Sequence, residues 1–157
     1  MSWNERPEDS PDECGDARTV LVISSLEDFL LLARMLDRPS LNLLGVRTCR
    51  AARSILLQNL VPVVISDRNL SDGCWKDVLC AGGSSERPPH LVVASQLADG
   101  SLWAEVLNLG GYDVLTKPFD ATEVNRALDS ALRNWMWRKA DRPGSAATHK
   151  HFVQRAN

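Results

Sequence analysis

Three residues whose side chains can hold an anionic group stand at the ends of short apolar runs. Asp67 follows the run VPVVIS, Ser95 closes the run HLVVAS, and Lys117 comes after the run DVLT and directly before Pro118. A carboxylate, a hydroxyl and an ammonium group at one place suit a tetrahedral anion. These side chains converge if the runs are strands of an open parallel sheet, because ligands bind at the carboxyl ends of such strands.

Five short apolar runs between residues 19 and 137 provide these strands. They are rich in β-branched residues, which favours strands that are buried on both faces. Segments of helical periodicity separate them. The sequence therefore predicts an α/β fold, with a doubly wound, five-stranded parallel sheet and helices on both faces. The predicted strands are 19–23, 43–47, 61–66, 90–95 and 113–116.

The first and last helical segments have apolar faces. Pro39 ends the first pattern, and the last helix begins near Asp120, where Asp120 or Thr122 can cap it. The helix over 101–109 is expected to end at Gly110. The face of the first helix comprises Leu26, Phe29, Leu30, Ala33 and Leu36. The face of the last comprises Val124, Ala127, Leu128, Ala131, Leu132 and Trp135.

Length and composition fit one globular domain with two charged ends. The 157 residues are 44% apolar and 24% charged, close to the averages for globular domains. Residues 1–18 carry six acids and two bases, a balance of −4, and residues 138–157 carry five bases and one acid, a balance of +4. This predicts a disordered acidic leader over 1–17 and a disordered basic tail over 139–157, around a domain over 18–138.

The overall charge, the cysteines and the apolar runs exclude several classes of protein. A net charge of −2 gives no global positive field, so a nucleic-acid partner is not expected. The four cysteines form no C-x-x-C pair and no zinc-finger spacing with histidine. The start of the chain is acidic, and no run approaches the roughly 18 apolar residues of a membrane span. The composition predicts a cytoplasmic protein without a membrane partner.

Three motifs at three strand ends together resemble a known family. They are VVISD with RNLSDG around Asp67, LVVAS ending at Ser95, and GGYDVLTKPFD around Lys117. Over about residues 18–138 the sequence resembles the receiver domain of bacterial two-component response regulators. The resemblance implies a flavodoxin-like (βα)5 fold and a stand-alone signalling module of a phosphorelay, not an enzyme.

The resemblance also implies how such a module meets other proteins. Its phosphoryl donor is a sensor histidine kinase or a phosphotransfer protein. Its downstream protein docks on the face of the fourth helix, the fifth strand and the fifth helix, where a homodimer can also form. Among the five dispersed tryptophans, Trp103 with Trp135 or Trp137 is expected on that face.

Roles for individual residues follow from the resemblance at matching positions. Asp67 matches the phosphoacceptor, which attacks a phosphoryl group and forms an acyl phosphate. Ser95 matches the residue whose hydroxyl contacts a phosphoryl oxygen. Lys117 matches the lysine that pairs first with the acceptor and later with the phosphoryl group, and family members usually have a cis peptide bond before the next proline, here Pro118. The backbone carbonyl of Asn69 matches a magnesium ligand.

The family's magnesium-binding acids are missing. Receivers carry two adjacent acids after the first strand, and Ser24 and Ser25 occupy those positions. Mg²⁺ is usually bound through one or two carboxylates together with phosphate. We therefore expect weak magnesium binding or none, with Asp67, the backbone carbonyl of Asn69 and the degenerate position Ser25 as the ligands that remain.

Two further positions bear on the site. Glu27 and Asp28 could reach back to it from the start of the first helix, but we favour the alternative that they only stabilise the positive end of that helix. Val114 occupies the position of the family's aromatic switch residue, whose swing a valine cannot reproduce. Tyr112, expected on the same side of the strand as Val114, is assigned to packing.

A second function class stays open beside the phosphorylated receiver. It is a phosphorylation-independent pseudo-receiver that acts as an interaction adaptor, and the missing acids favour it. A flavin protein of the same fold class is disfavoured because Ser24 and Ser25 are too short a phosphate loop. An aspartate-nucleophile phosphatase is disfavoured because Asn69 stands where such enzymes need a second acid.

Overall fold

The computed structural model describes residues 18–140, with side chains up to residue 138. The predicted leader over 1–17 and the predicted tail from residue 141 onward lie outside the described residues. The strands of the main sheet are β1 (Thr19–Ile23), β2 (Asn42–Val46), β3 (Val63–Asp67), β4 (His90–Ser95) and β5 (Asp113–Thr116). The helices are α1 (Leu26–Met35), α2 (Cys49–Gln58), α3 (Trp75–Gly83), α4 (Gly100–Leu109) and α5 (Ala121–Ala140).

The main sheet is parallel throughout, with the strand order β2-β1-β3-β4-β5, which confirms the predicted fold class. The order reverses at β1, because β2 lies on one side of it and β3 on the other. In sheets of this kind, ligands bind outside the carboxyl ends of the strands at the point of reversal. Asp67, the last residue of β3, lies at that edge.

Helices on both faces of the sheet enclose two apolar cores. The first core packs α1 and α5 against one face, and the second packs α2, α3 and α4 against the other. Every residue of β1 and of β4 is buried, as expected for strands covered on both sides. The first core takes Leu32, Leu36, Val124, Ala127, Leu128 and Ala131 from the helices and their ends. The second takes Ala52, Leu56, Trp75, Val78, Leu102 and Val106.

The buried face of α1 differs from the predicted one. Leu26 and Leu30 are 55% and 56% exposed, whereas Leu32 is fully buried. The run of three leucines offers apolar side chains on two sides of the helix, and α1 turns the side of Phe29, Leu32 and Leu36 toward the core. Spacings of three and four residues describe both sides equally well, so periodicity could not choose between them.

The element boundaries follow the predicted ones closely. β1, β4 and β5 have the predicted ranges, and β2 is shifted by one residue. β3 begins only after Pro62, because proline has no N–H for the strand ladder. The segment predicted as a loop after β3 contains a short antiparallel ribbon of Asn69–Leu70 with Gly73–Cys74. α5 continues to Ala140, past the predicted domain end at residue 138.

Polar side chains and one glycine define the helix ends. Ser25 Oγ accepts a hydrogen bond from the backbone N–H of Asp28 at 3.2 Å and caps α1. Asp120 Oδ2 accepts from the N–H of Glu123 at 3.0 Å, so Asp120 is the predicted cap of α5. Gly110 ends α4 at a φ of 107°, which glycine adopts without strain. No helix within residues 18–140 is long and apolar enough to cross a membrane.

Candidate functional site

The sheet brings Asp67 and Lys117 into contact, as the sequence predicts. Asp67 ends β3 and Lys117 directly follows β5. Lys117 Nζ lies 2.8 Å from Asp67 Oδ1, and the two side chains are only 18% and 16% exposed. The contact is an ion pair without hydrogen-bond geometry, and Oδ1 is buried without a hydrogen-bond donor among the described residues. The ammonium group of Lys117 is therefore what offsets the charge of this buried oxygen.

Strand register places Ser95 at the same edge. Asp67 pairs with Ala94 in the β3–β4 ladder, so Ser95 is one residue further toward the carboxyl end. The Lys117 N–H donates to the Ser95 carbonyl at 3.0 Å. The buried Ser95 hydroxyl oxygen accepts a hydrogen bond from the N–H of Leu97 at 3.1 Å. Since a hydroxyl can accept and donate at once, its proton stays free for an anion at the site.

The peptide bond between Lys117 and Pro118 is cis, as the family resemblance predicts.

A second carboxylate reaches the site from α1. Lys117 Nζ donates a hydrogen bond to Asp28 Oδ2 at 2.7 Å, and the Asp28 side chain is 21% exposed. Asp28 also lies in the first turn of α1, three residues after its cap Ser25. The preferred interpretation of Asp28 as only a helix-end charge was therefore incomplete. The available signal was its position near the start of a helix that begins at the same sheet edge as Asp67.

Burial and three charges shift the titration of the site. Burial raises the pKa of Asp67, and the charge of Asp28 raises it further, while Lys117 lowers it without cancelling the rise. Burial lowers the pKa of Lys117, but its hydrogen bond to Asp28 and the negative charges of Asp67 and Asp28 outweigh this effect and raise the pKa overall. Perturbed titration with a specific charge partner at a sheet edge is typical of functional sites.

The residues at the missing acid positions have local roles. Ser24 Oγ donates to the Ser25 carbonyl at 3.0 Å, and Ser25 Oγ is the α1 cap. Across residues 18–138, no group of three or more His, Cys, Asp or Glu side chains is arranged to hold a metal. A magnesium site needs only one or two carboxylates when phosphate and water complete it. With serines at both acid positions, the carboxylate of Asp67 therefore fits a weak magnesium site and not a strong one.

Val114 and Tyr112 lie on opposite faces of the sheet. Val114 is buried in the core under α2, α3 and α4. Tyr112 packs on the α1 and α5 side, stacks on His90 with ring centroids 4.5 Å apart, and its hydroxyl lies 2.6 Å from Ser130 Oγ. The prediction that they share a side is wrong, because β5 begins at Asp113 and strand alternation does not extend back to Tyr112. The packing role of Tyr112 is confirmed.

The tryptophans expected on one docking face are separated. Trp103 is exposed on α4. Trp135 is buried, and its Nε1 donates to the Pro88 carbonyl at 3.2 Å, so it cannot take part in a docking surface. Trp137 is exposed but lines a groove with Arg38 and its neighbours, to which α4 contributes no residue. Trp135 and Trp137 point in different directions from α5, and the sequence composition does not give these directions.

One curated relative matches the sequence. No protein-family profile matches the chain. The response regulator protein PilR of Pseudomonas aeruginosa is 31% identical over 105 residues, which cover 66% of this chain and 23% of PilR. The chain thus spans less than a quarter of the length of that relative.

Solved structures with the same fold include several receiver domains. The receiver domain of an HD domain-containing protein from Pseudomonas fluorescens is 25% identical, with a TM-score of 0.67 over 75% of this chain and 95% of that one. The beryllofluoride-activated NtrC4 receiver dimer is 18% identical, with a TM-score of 0.69 over 75% and 98%. A CheY-like receiver protein from Methanospirillum hungatei is 13% identical, with a TM-score of 0.67 over 77% and 98%. With Asp67 and Lys117 paired at the strand ends, these similarities support a receiver domain like those of the response regulators of two-component signal transduction.

Proposed function

We propose that this domain accepts a phosphoryl group on Asp67 and transmits the change through protein contacts. The observation that carries the proposal is the buried carboxylate of Asp67, ion-paired with Lys117 at the reversal point of the sheet. Receiver domains are typically signalling domains and not enzymes, so the acceptor chemistry serves a switch. The resemblance assigns the donor to a sensor histidine kinase or a phosphotransfer protein, and the setting to the bacterial cytoplasm.

The three strand-end residues have complementary parts in the transfer. A carboxylate oxygen of Asp67 forms a bond to phosphorus while the bond from phosphorus to the donor's leaving atom breaks, which produces an acyl phosphate. Lys117, 2.8 Å from Asp67 Oδ1, supplies the positive charge that the phosphoryl oxygens need. The Ser95 hydroxyl, which uses only its oxygen in the contact with Leu97, can donate its proton to a phosphoryl oxygen.

Magnesium would bind weakly at this site. Asp67 and the backbone carbonyl of Asn69 would hold it, and Ser25 at the degenerate position has a hydroxyl already engaged as a helix cap. When bound, Mg²⁺ neutralises charge on the phosphoryl oxygens. The chain's own positive group, Lys117, remains beside the acceptor whether or not the metal is present.

The output surface is proposed to be the face of α4, β5 and α5. Trp103 and Leu107 are exposed on α4 and offer apolar surface for a protein partner or for a second copy of the domain. The NtrC4 receiver, which shares the fold, is described as a dimer. Because Val114 replaces the aromatic switch residue, coupling from the site to this face cannot use an aromatic swing.

A phosphorylation-independent adaptor is the second candidate function. It is favoured by Ser24 and Ser25, which supply no carboxylate for magnesium, and by Val114 at the switch position. Such a pseudo-receiver keeps the fold and the docking face but does not use Asp67 as an acceptor.

Phosphoryl labelling separates the two candidates. The protein is incubated with Mg²⁺ and a small phosphoryl donor such as acetyl phosphate, and its intact mass is measured. We expect one added phosphoryl group, its loss in Asp67→Asn, and its retention in Asp37→Asn, which removes an exposed carboxylate outside the site. No added mass under conditions that label an ordinary receiver would support the adaptor. Label that persists in Asp67→Asn would place the acceptor elsewhere.

A further inference from the structure

We propose that Asp28 is a positioning residue for Lys117, at a site whose strand-end positions Ser24 and Ser25 carry no carboxylate. The role rests on the proposed function, in which Lys117 meets the phosphoryl group on Asp67. Asp28 provides from a helix the carboxylate that the end of β1 does not provide.

The geometry ties Lys117 more firmly to Asp28 than to Asp67. The ammonium donates a hydrogen bond to Asp28 Oδ2 at 2.7 Å, whereas its contact with Asp67 Oδ1 at 2.8 Å lacks hydrogen-bond geometry. Hydrogen bonds between ionised partners are stronger than other hydrogen bonds. All three side chains are largely buried, so solvent screens their contacts less than it screens a surface ion pair. Asp28 is therefore the main anchor of Lys117.

The first turn of α1 holds Asp28 in place. Ser25 Oγ accepts a hydrogen bond from the Asp28 N–H, which fixes this residue in the first turn. The neighbouring Glu27 has the same charge, but its side chain is exposed and makes no hydrogen bond or ion pair with the described residues. The contact is thus specific to one position of the helix.

This anchor survives the chemistry at Asp67. When a carboxylate becomes an acyl phosphate, the attacking oxygen is no longer a free anionic acceptor for Lys117. A lysine held only by Asp67 would lose its partner at that moment. Lys117 keeps its hydrogen bond to Asp28 and so stays beside the oxygens of the new phosphoryl group.

A double-mutant cycle on Asp28 and Asp67 tests the role without any phosphoryl donor. The pKa of Lys117 is followed by NMR in the wild type, Asp28→Asn, Asp67→Asn and the double variant. We expect Asp28→Asn to lower the Lys117 pKa, and the double variant to lower it further. Asp67→Asn should lower it less than Asp28→Asn does. Glu27→Gln, which removes the same charge one residue away, should leave it unchanged.

The outcomes separate this role from the proposed function. An unchanged Lys117 pKa in folded Asp28→Asn, or an equal change in Glu27→Gln, would overturn the positioning role whatever the labelling shows. In the labelling assay, Asp28→Asn should slow phosphoryl transfer roughly tenfold, the equivalent of one lost hydrogen bond to a charged group. If the wild type takes no label while Asp28→Asn still lowers the Lys117 pKa, the acceptor function fails and the positioning role stands.

Discussion

Acid should destabilise this domain through His90, the first residue of β4. The buried ring stacks on Tyr112, and its Nε2 lies 2.9 Å from Asn134 Oδ1 on α5. Its Nδ1 lies 3.5 Å from Nη1 of Arg138. The neutral ring satisfies both contacts, donating through Nε2 and accepting at Nδ1, whereas a second ring proton would point at a guanidinium group. Burial first, and the charge of Arg138 in addition, lower the pKa of His90 to about 4, against the Asn134 contact that raises it.

The sign and size of the change in stability follow from the pKa of His90 in the unfolded and in the folded chain. Between pH 4 and pH 6.5 the unfolded chain binds a proton at His90 that the folded chain does not, so the free energy of unfolding rises with pH. The gap between 6.5 and about 4, at about 1.36 kcal/mol for each pH unit, corresponds to about 3 kcal/mol. This stability is fully present above pH 6.5 and is lost progressively toward pH 4. Against a total of about 5–15 kcal/mol, the loss is large.

Urea unfolding of the wild type and of His90→Gln at pH 7 and pH 4 measures this contribution. Glutamine does not titrate, so His90→Gln should lose about 3 kcal/mol less than the wild type over the same interval, although its stability at pH 7 is lower because the stack on Tyr112 is gone. The matched control combines His149→Gln with His151→Gln, which removes the other two histidines of the chain and leaves His90 in place. Equal losses in the wild type and His90→Gln would show that the folded protein does not hold this ring neutral.

Three further substitutions probe the site and the fold. Asp67→Asn should raise the free energy of unfolding at pH 7, because the raised pKa of Asp67 means that folding disfavours its ionised form. The gain in stability should shrink as the pH falls through the titration of this carboxyl group. A lower free energy of unfolding at pH 7 in Asp67→Asn would contradict the predicted sign. Leu32→Ala should cost about 2–5 kcal/mol in urea unfolding, against less than about 0.5 kcal/mol for the exposed Leu30→Ala, and equal costs would refute the buried face of α1. Gly110→Ala should cost about 1 kcal/mol because of its positive φ, and an unchanged midpoint would argue against the left-handed end of α4.

The sequence was sufficient for the sheet because strands covered on both faces leave a simple pattern. The runs at β1, β4 and β5 are continuous, apolar and bounded by polar residues, so their ends coincide with the predicted ones. The convergence of Asp67 and Lys117 followed from this parallel arrangement, since the carboxyl ends of neighbouring strands meet at one edge. Prediction succeeded where a residue's place was determined by the backbone.

Prediction failed where the outcome depended on side-chain direction. Leu30 and Leu32 are leucines in the same run, so the sequence pattern does not distinguish them. Only the packing of α1 against the sheet decides which one is buried. The sequence could not assign Tyr112 to a face of the sheet. A shift of one residue in the start of β5 decides whether strand alternation applies to Tyr112. Asp28 was assigned only to the helix end, because its contact with Lys117 depends on how α1 is placed relative to the end of β5.

The charge balance of the site shows why Asp28 matters more here than it would beside two strand-end acids. Asp28 and Asp67 carry two negative charges against the single positive charge of Lys117, so one ammonium serves both carboxylates. Two additional acids would leave three excess negative charges in a partly buried space, which only a multivalent cation could balance. With serines at those positions, Lys117 alone brings the site close to neutrality. In the proposed site, the serines that leave magnesium weakly bound also allow the Asp67 carboxylate to be held without a metal, because Asp28 keeps Lys117 beside it.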